Sequence, residues 1–299
     1  MNTLLQPKVE LQANSNAFIV ANTVPVSLQE LREEHIIPVF AKDNEKTISH
    51  FEFIATCFKA LMQISKRNLK LPQIRVSHPI NGRIPEARHK KPVELEDFEK
   101  TLYYERMMFV VQIPGFSTLI SGEMVELTFG GIKSYSQDSL TGKYTKQNFH
   151  LFLGYQVRVC SNMCISADIG VSSIEVYNYG EIEQAVVNLF HGFEHERTLH
   201  HFTHLGSNFI SRNEFESFIG KVRVGYLDPK IDSKDWLGDQ QMSQVVKGYF
   251  NNPDFSASLD GSISLWNIYN LMTEANKNSY IDRFIPRAKE IDNILKLIW

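Results

Sequence analysis

The sequence predicts an α+β fold, with an antiparallel β-meander core, flanking helices and a mainly helical C-terminal half, on three observations. Between about residues 103 and 160, apolar and polar residues alternate with the period of a strand. From about residue 179 onward, apolar residues recur every three or four positions, the period of a helix packed along one face. Two Ser-x-x-Glu sequences, Ser49 to Glu52 and Ser211 to Glu214, each open a helical run, because hydroxyl and carboxylate satisfy backbone donors that a helix start leaves free.

Residues 1–25 are polar, with repeated Asn and Gln and no apolar cluster, and are expected to form a flexible tail. Ile36 to Phe40 reads as a short strand followed by a charged turn, Lys42 to Lys46. A helix should then start at Ser49, with Phe51, Ile54, Phe58, Leu61 and Met62 at helical spacing. Ile74 to Ile80 alternates loosely and ends at Asn81-Gly82, a turn dipeptide because both residues tolerate positive φ. Tyr103 to Ile113 leads into a turn at Pro114-Gly115, and Phe116 to Ile120 and Met124 to Phe129 flank another at Ser121-Gly122-Glu123. Val125, Leu127 and Phe129 should face one side of the sheet, Glu126 and Thr128 the other. After a polar loop from Ser134 to Gln147, the clearest strand sets Phe149, Leu151, Leu153, Tyr155, Val157 and Val159 on one face and His150, Gln156 and Arg158 on the other.

The helical half begins near Tyr179, with the stripe Ile182, Ala185, Val186, Leu189 and Phe190. Phe215, Phe218, Ile219 and Val222 mark the next helix, Met242, Val245, Val246 and Tyr249 another, and Leu265 to Ala275 a fourth. Ser279 to Asp282 should cap a last helix that Pro286 kinks or restarts. Trp266, Tyr269 and Tyr280 are expected in the core. The expected organisation is a tail over 1–25, an α+β domain with the antiparallel sheet over 26–178, and a helical region packed on it over 179–299.

Composition narrows the function classes. At 299 residues, 43% hydrophobic and 22% charged, the chain has material for a core and lacks the polarity of a disordered one. It has no run of about eighteen apolar residues to cross a bilayer. An N-terminus without a basic start and apolar stretch, and only three cysteines, lead to the expectation of a cytoplasmic protein with no membrane partner and no disulfide framework.

Charge distribution is the first functional signal. Residues 66–91 hold eight cations, Lys66, Arg67, Lys70, Arg75, Arg83, Arg88, Lys90 and Lys91, against Glu86 alone. Their net +7 in a chain of −3 leaves −10 for the remainder. Cations beside Tyr103, Tyr104 and Phe109 suit a surface on which phosphates are contacted and unpaired bases stack. The bland alternative is a solvated loop, since Glu94, Glu96, Asp97 and Glu99 follow at once, crowded on an expected surface helix.

Five of the ten histidines, His191, His195, His200, His201 and His204, lie within fourteen residues. Spacing of four would let His191 with His195, or His200 with His204, share a metal on one helix. His195 to His200 is one residue too long for a His-Glu-x-x-His pair, which rotates them about 100° apart, and no further ligand is identifiable from spacing. Cys160 and Cys164, four apart, lack the second pair that zinc needs, and with Cys57 they read as buried thiols. Thr141-Gly142-Lys143 lacks the earlier glycine of a phosphate loop, Gly130-Gly131 lacks a third glycine for a dinucleotide fingerprint, and there is no nucleophile elbow. No cofactor is expected, and the balance points away from an enzyme.

Three stretches carry a resemblance: Arg75 to Ala87, Tyr103 to Met107, and Leu265 to Asp282. Together they resemble a family of Bacteroides-type bacteria described only as a domain of unknown function, over most of the chain after about residue 26. Val159-Cys160-Ser161-Asn162, with the later Trp266-Asn267-Ile268-Tyr269-Asn270-Leu271-Met272-Thr273-Glu274, is similar to a broader plasmid-and-phage-like family of unknown function. These resemblances imply a mobile genetic element and no catalytic residue. The order helix, meander, long helix, over 49–65, 103–160 and 179–204, is similar to the core of single-strand annealing proteins. On that analogy the chain is a non-enzymatic nucleic-acid-binding protein, a recombination accessory factor that could oligomerise. Arg75, His78, Arg83, Arg88, Lys90, Lys91, Tyr103, Tyr104, Arg106 and Arg158 would line a groove for single-stranded DNA. The competing readings are a factor that docks a host protein through its helical half, around Trp266, Tyr269 and Trp299, and a metal-dependent enzyme built on the histidines.

Overall fold

The computed structural model describes residues 17–33, 47–87, 89–138, 146–165 and 170–298. In chain order the elements are β1 (Thr23–Val26), α1 (Leu28–Glu33), α2 (His50–Ser65), β2 (Gln73–Ser77), β3 (Pro79–Arg83), β4 (Lys100–Tyr104), β5 (Arg106–Ile120), β6 (Glu123–Ser134), β7 (Gln147–Val157), β8 (Met163–Cys164) and β9 (Val171–Val176). Then follow α3 (Tyr179–Gly192), α4 (His195–Ser207), β10 (Phe209–Ile210), α5 (Arg212–Gly225), α6 (Asp239–Asn251), β11 (Ile263–Ser264), α7 (Leu265–Asn276) and α8 (Ile281–Leu295). The class is α+β, as expected.

A seven-stranded antiparallel sheet runs β1-β2-β5-β6-β7-β8, with β9 sharing the β8 edge of β7. Ser121 and Gly122, both at positive φ, make the tight hairpin between β5 and β6. Strand alternation then sorts side chains into two cores. Val111, Val125, Leu127, Phe129, Leu151 and Tyr155 face α2, α3 and α4, while Met108, Val110, Ile132 and Phe152 face Phe18, Ile19 and the apolar stripe of α8. The two α2 and α5 capping boxes are present, with Ser49 and Ser211 accepting from the backbone of Glu52 and Glu214.

Several expectations need correction. Residues 17–25 belong to the fold, since Phe18 and Ile19 are buried and Thr23 pairs with Ser77. Asn81-Gly82 is no turn: it lies inside β3, where Asn81 pairs with Leu102 and Gly82 with Thr101, and neither residue has positive φ. Pro114-Gly115 is a β-bulge within the continuous β5, with Gly115 at φ +86° absorbing the irregularity between Gln112 and Ser117. The long helix over 179–204 is two helices, interrupted at Phe193, whose backbone is extended. Glu94 to Glu99 forms no surface helix but two short 3-10 turns, with Glu99 buried. Pro286 falls inside α8, which is neither ended nor restarted there. Met62, Val159 and Tyr280 are exposed. The strand and turn expected over 36–46 lie outside the described residues.

Candidate nucleic-acid interface

Strands β3 and β4 pair only with each other among the described residues and form an arm beside the main sheet. Pairing brings the basic run back onto the acidic one. Lys90 Nζ reaches Glu99 Oε1 at 2.5 Å, and its hydrogen bond holds Glu99 below the ordinary carboxylate range. Lys100 reaches Asp97 at 2.7 Å, and Arg83 donates to the Lys90 carbonyl. Over residues 79–104 five cations meet five carboxylates, so the arm carries no net charge. Lys91 is exposed, Glu94 accepts from the Lys91 backbone N–H, and Arg88 lies outside the described residues.

Other predicted residues serve the framework. Arg75 on β2 donates through Nε to Thr23 Oγ1 and through Nη2 to the Thr23 carbonyl, both at 2.8 Å, and burial lowers its ordinary pKa. Tyr104 is buried, its hydroxyl 3.2 Å from Glu30 and its carbonyl 2.8 Å from His50 Nε2. Tyr103 is half-buried and lies 6.5 Å from the Tyr135 ring; burial, then Glu105, raises its pKa. His78 and Arg106 line a cleft of about 260 Å³ with Thr23, Glu105, Tyr280 and Ile281. Arg106 is answered there by Glu105 at 3.5 Å and Asp282 at 3.7 Å.

Arg106 and Arg158 do not share one short groove wall. Arg106 pairs with Ser134 at one end of β6, whereas Arg158 follows the Val157–Val125 pair near the other end. Between Lys133–Phe149 and Val125–Val157 the ladder advances eight residues, about 26 Å at strand rise.

At the Arg158 end the structure gathers cations that are far apart in sequence. Lys70 Nζ and Arg158 Nη2 both approach Glu126, at 3.2 and 3.5 Å. The segment leading to Lys70 runs along β5, its backbone N–H donating to the Gln112 carbonyl, and it brings exposed Lys66 and Arg67, which have no ion pair among the described residues. Lys70 and Arg158 thus share one carboxylate, and Lys66 and Arg67 belong to the segment that brings Lys70 there. On the same sheet face Gln112 accepts from Lys70 Nζ and donates to the Oε1 of buried Gln156. Arg67 lies over the ring of Phe116, 5.1 Å from its centroid, and Phe116 stacks on His195. Lys66 and Arg67 were visible in the basic run; His195 was visible only as part of the histidine cluster and Phe116 only as a strand residue, because their contact with each other and with Arg67 is tertiary.

The remaining polar clusters are structural. Lys133, with no exposed side chain, holds Asp138 at 2.5 Å and lies over Phe149; burial pulls its pKa down to about 8 against the charge of Asp138, which favours the cation. Asn162 Nδ2 donates to the Asn270 carbonyl at 3.0 Å, and buried Lys277 donates to the Cys160 carbonyl, so the two motif stretches at 159–162 and 266–277 pack on one another. Burial raises the thiol pKa of all three cysteines, that of Cys160 to about 11. The histidines are dispersed: His191 ends α3, His195 is engaged by Tyr155, and His201 meets Asp292. Among the described residues no three His, Cys, Asp or Glu side chains group as metal ligands. Trp266 and Tyr269 are buried, which leaves no docking patch at either, and Trp299 lies outside the described residues.

A protein family described as "domain of unknown function, B. theta gene description" (DUF3871) matches residues 2–298. The chain belongs to this family. Among curated proteins and solved structures, none matches it. No helix among the described residues is long and apolar enough to cross a membrane.

Proposed function

We propose that the chain is a non-enzymatic nucleic-acid-binding protein that holds single strands along the bulge end of its sheet. The observation that supports this best is the convergence of Lys70 and Arg158 on the single carboxylate Glu126, beside Lys66 and Arg67. Cations that outnumber the carboxylate they share attract a polyanion and release its counterions on contact. The arm, which holds most of the sequence-predicted cations, is left out because its charges cancel.

Fluorescence anisotropy with short single- and double-stranded oligonucleotides across a salt series tests the proposal. Four phosphate contacts predict a slope of about −3 in log K against log salt for a single strand. Absence of binding at about 50 mM salt refutes it. A cytoplasmic annealing factor of a mobile element is the finer form of the proposal, tested by the rate at which complementary strands anneal with and without protein.

A second reading, protein docking through the arm, is favoured by Val93 and Phe98, which are 91% and 75% exposed on a surface of no net charge. Light scattering checks whether two copies associate and whether Phe98→Ser abolishes it; a monomer at all concentrations removes the self-association form of this reading.

A further inference from the structure

We infer that Arg67 is a pre-positioned anion-binding arginine, seated on the β5 bulge to take a phosphate group. That the phosphate belongs to a nucleic-acid strand rests on the proposed function; the seat itself rests on geometry. Buried Tyr155 places its hydroxyl 3.1 Å from His195 Nδ1. His195 stacks on Phe116 with centroids 5.3 Å apart and planes 13° from parallel, and the Arg67 guanidinium lies 5.1 Å from the Phe116 centroid. Each member fixes the next, from the buried core outward to an exposed cation.

Gly115 completes the seat. At φ +86° it favours glycine, and a Cβ there would fall 2.3 Å from Arg67 Nη1 and 2.7 Å from Cζ. The bulge therefore leaves room for the guanidinium where any other residue would displace it. Glu194, beside His195 in sequence, is held by Arg197 at 3.2 Å. Arg67 has no ion pair among the described residues.

A free arginine side chain loses conformational freedom when held, and an exposed cation–π contact returns only about 0.5–1 kcal/mol. What the seat provides is position: the Phe116 ring and the Gly115 backbone hold the guanidinium in one place, and its planar fork of donors is the geometry that takes two oxygens of one phosphate. Lys66, exposed and next to Arg67 in sequence, adds a second cation that favours a phosphodiester or polyphosphate over an isolated carboxylate.

The test uses the full chain and two probes, inorganic pyrophosphate and a labelled oligothymidylate. Arginine Nε–H NMR signals are followed in the wild type, Arg67→Lys, Gly115→Ala and Gly122→Ala. Gly122 is the control, because it shares the positive φ, at +90°, yet a Cβ there meets nothing within 4 Å. The seat predicts a saturable pyrophosphate shift of the Arg67 signal in the wild type and in Gly122→Ala, and its loss in Gly115→Ala. Oligonucleotide affinity should fall about tenfold in Arg67→Lys, which keeps the charge, and in Gly115→Ala, but not in Gly122→Ala beyond any loss of folded protein. An Arg67 signal indifferent to pyrophosphate, or Gly115→Ala binding as well as Gly122→Ala, overturns the inference. A pyrophosphate response with no oligonucleotide binding upholds the seat and refutes the nucleic-acid function.

Discussion

Removing one partner of the buried Lys133–Asp138 pair should cost far more than removing both. The side chains are 0% and 4% exposed and 2.5 Å apart. At an effective dielectric of about 20 two unit charges at that separation attract by about 7 kcal/mol, and burial costs several kcal/mol for each ion. The pair therefore nets little, while either ion alone is stranded. Asp138→Asn keeps an acceptor for the Asn148 N–H, which Asp138 Oδ1 now receives at 2.8 Å, but leaves the ammonium among Phe149 and Tyr135, at a cost of about 3–5 kcal/mol. Lys133→Met leaves the carboxylate, among the described residues, with the Asn148 N–H, and should cost about 3 kcal/mol. The double variant places a flexible apolar chain against the same rings and should lose about 1 kcal/mol. Urea unfolding of the four proteins reads out the cycle. Single costs that add up to the double cost within about 0.5 kcal/mol would refute the pairing argument. The pH dependence has a definite sign. Lys133 titrates near 8 when folded and near 10.5 when unfolded, so between those values the unfolded chain binds more protons and stability should rise with pH. Lys133→Met should remove that rise.

Four further outcomes follow from the same geometry. Gly130→Ala should destabilise by more than about 2 kcal/mol, because its Cβ would lie 2.1 Å from Phe152 and 2.7 Å from the Phe109 carbonyl; thermal melting checks this. Cys57 and Cys164, fully buried with raised pKa values, should resist a thiol reagent at pH 8 in the native protein and react on unfolding, and prompt native labelling of both would contradict their burial. Asn162→Leu should cost about 2 kcal/mol by removing the donor to the Asn270 carbonyl, which urea melts will show. Charge reversal at Lys70 and Arg158 should flatten the salt dependence of oligonucleotide binding, whereas Lys91→Glu on the neutral arm should leave it unchanged; the opposite ranking would move the interface to the arm.

Patterns confined to a few neighbouring residues were legible in the sequence. The α+β class, the Ser49 and Ser211 caps, the α2 and α5 helices and the inward face of β7 all follow from period and local hydrogen bonding, which a short window contains. Glycine positions were legible as irregularities but not as kinds. Ser121-Gly122 became the hairpin, while Pro114-Gly115 became a bulge and Asn81-Gly82 a strand interior, because the partner strand decides whether a tolerant backbone reverses. The net +7 of residues 66–91 was also legible, but its meaning was not. Pairing of β3 with β4 folded the distal half of that run onto Glu99 and its neighbours, and the approach of the 66–70 segment to β5 set Lys70 beside Arg158, eighty-eight positions away. Charge along a chain is additive and local, so sequence determines how much there is; whether it is cancelled or concentrated depends on distances of a few ångströms between remote segments, which only the tertiary structure sets.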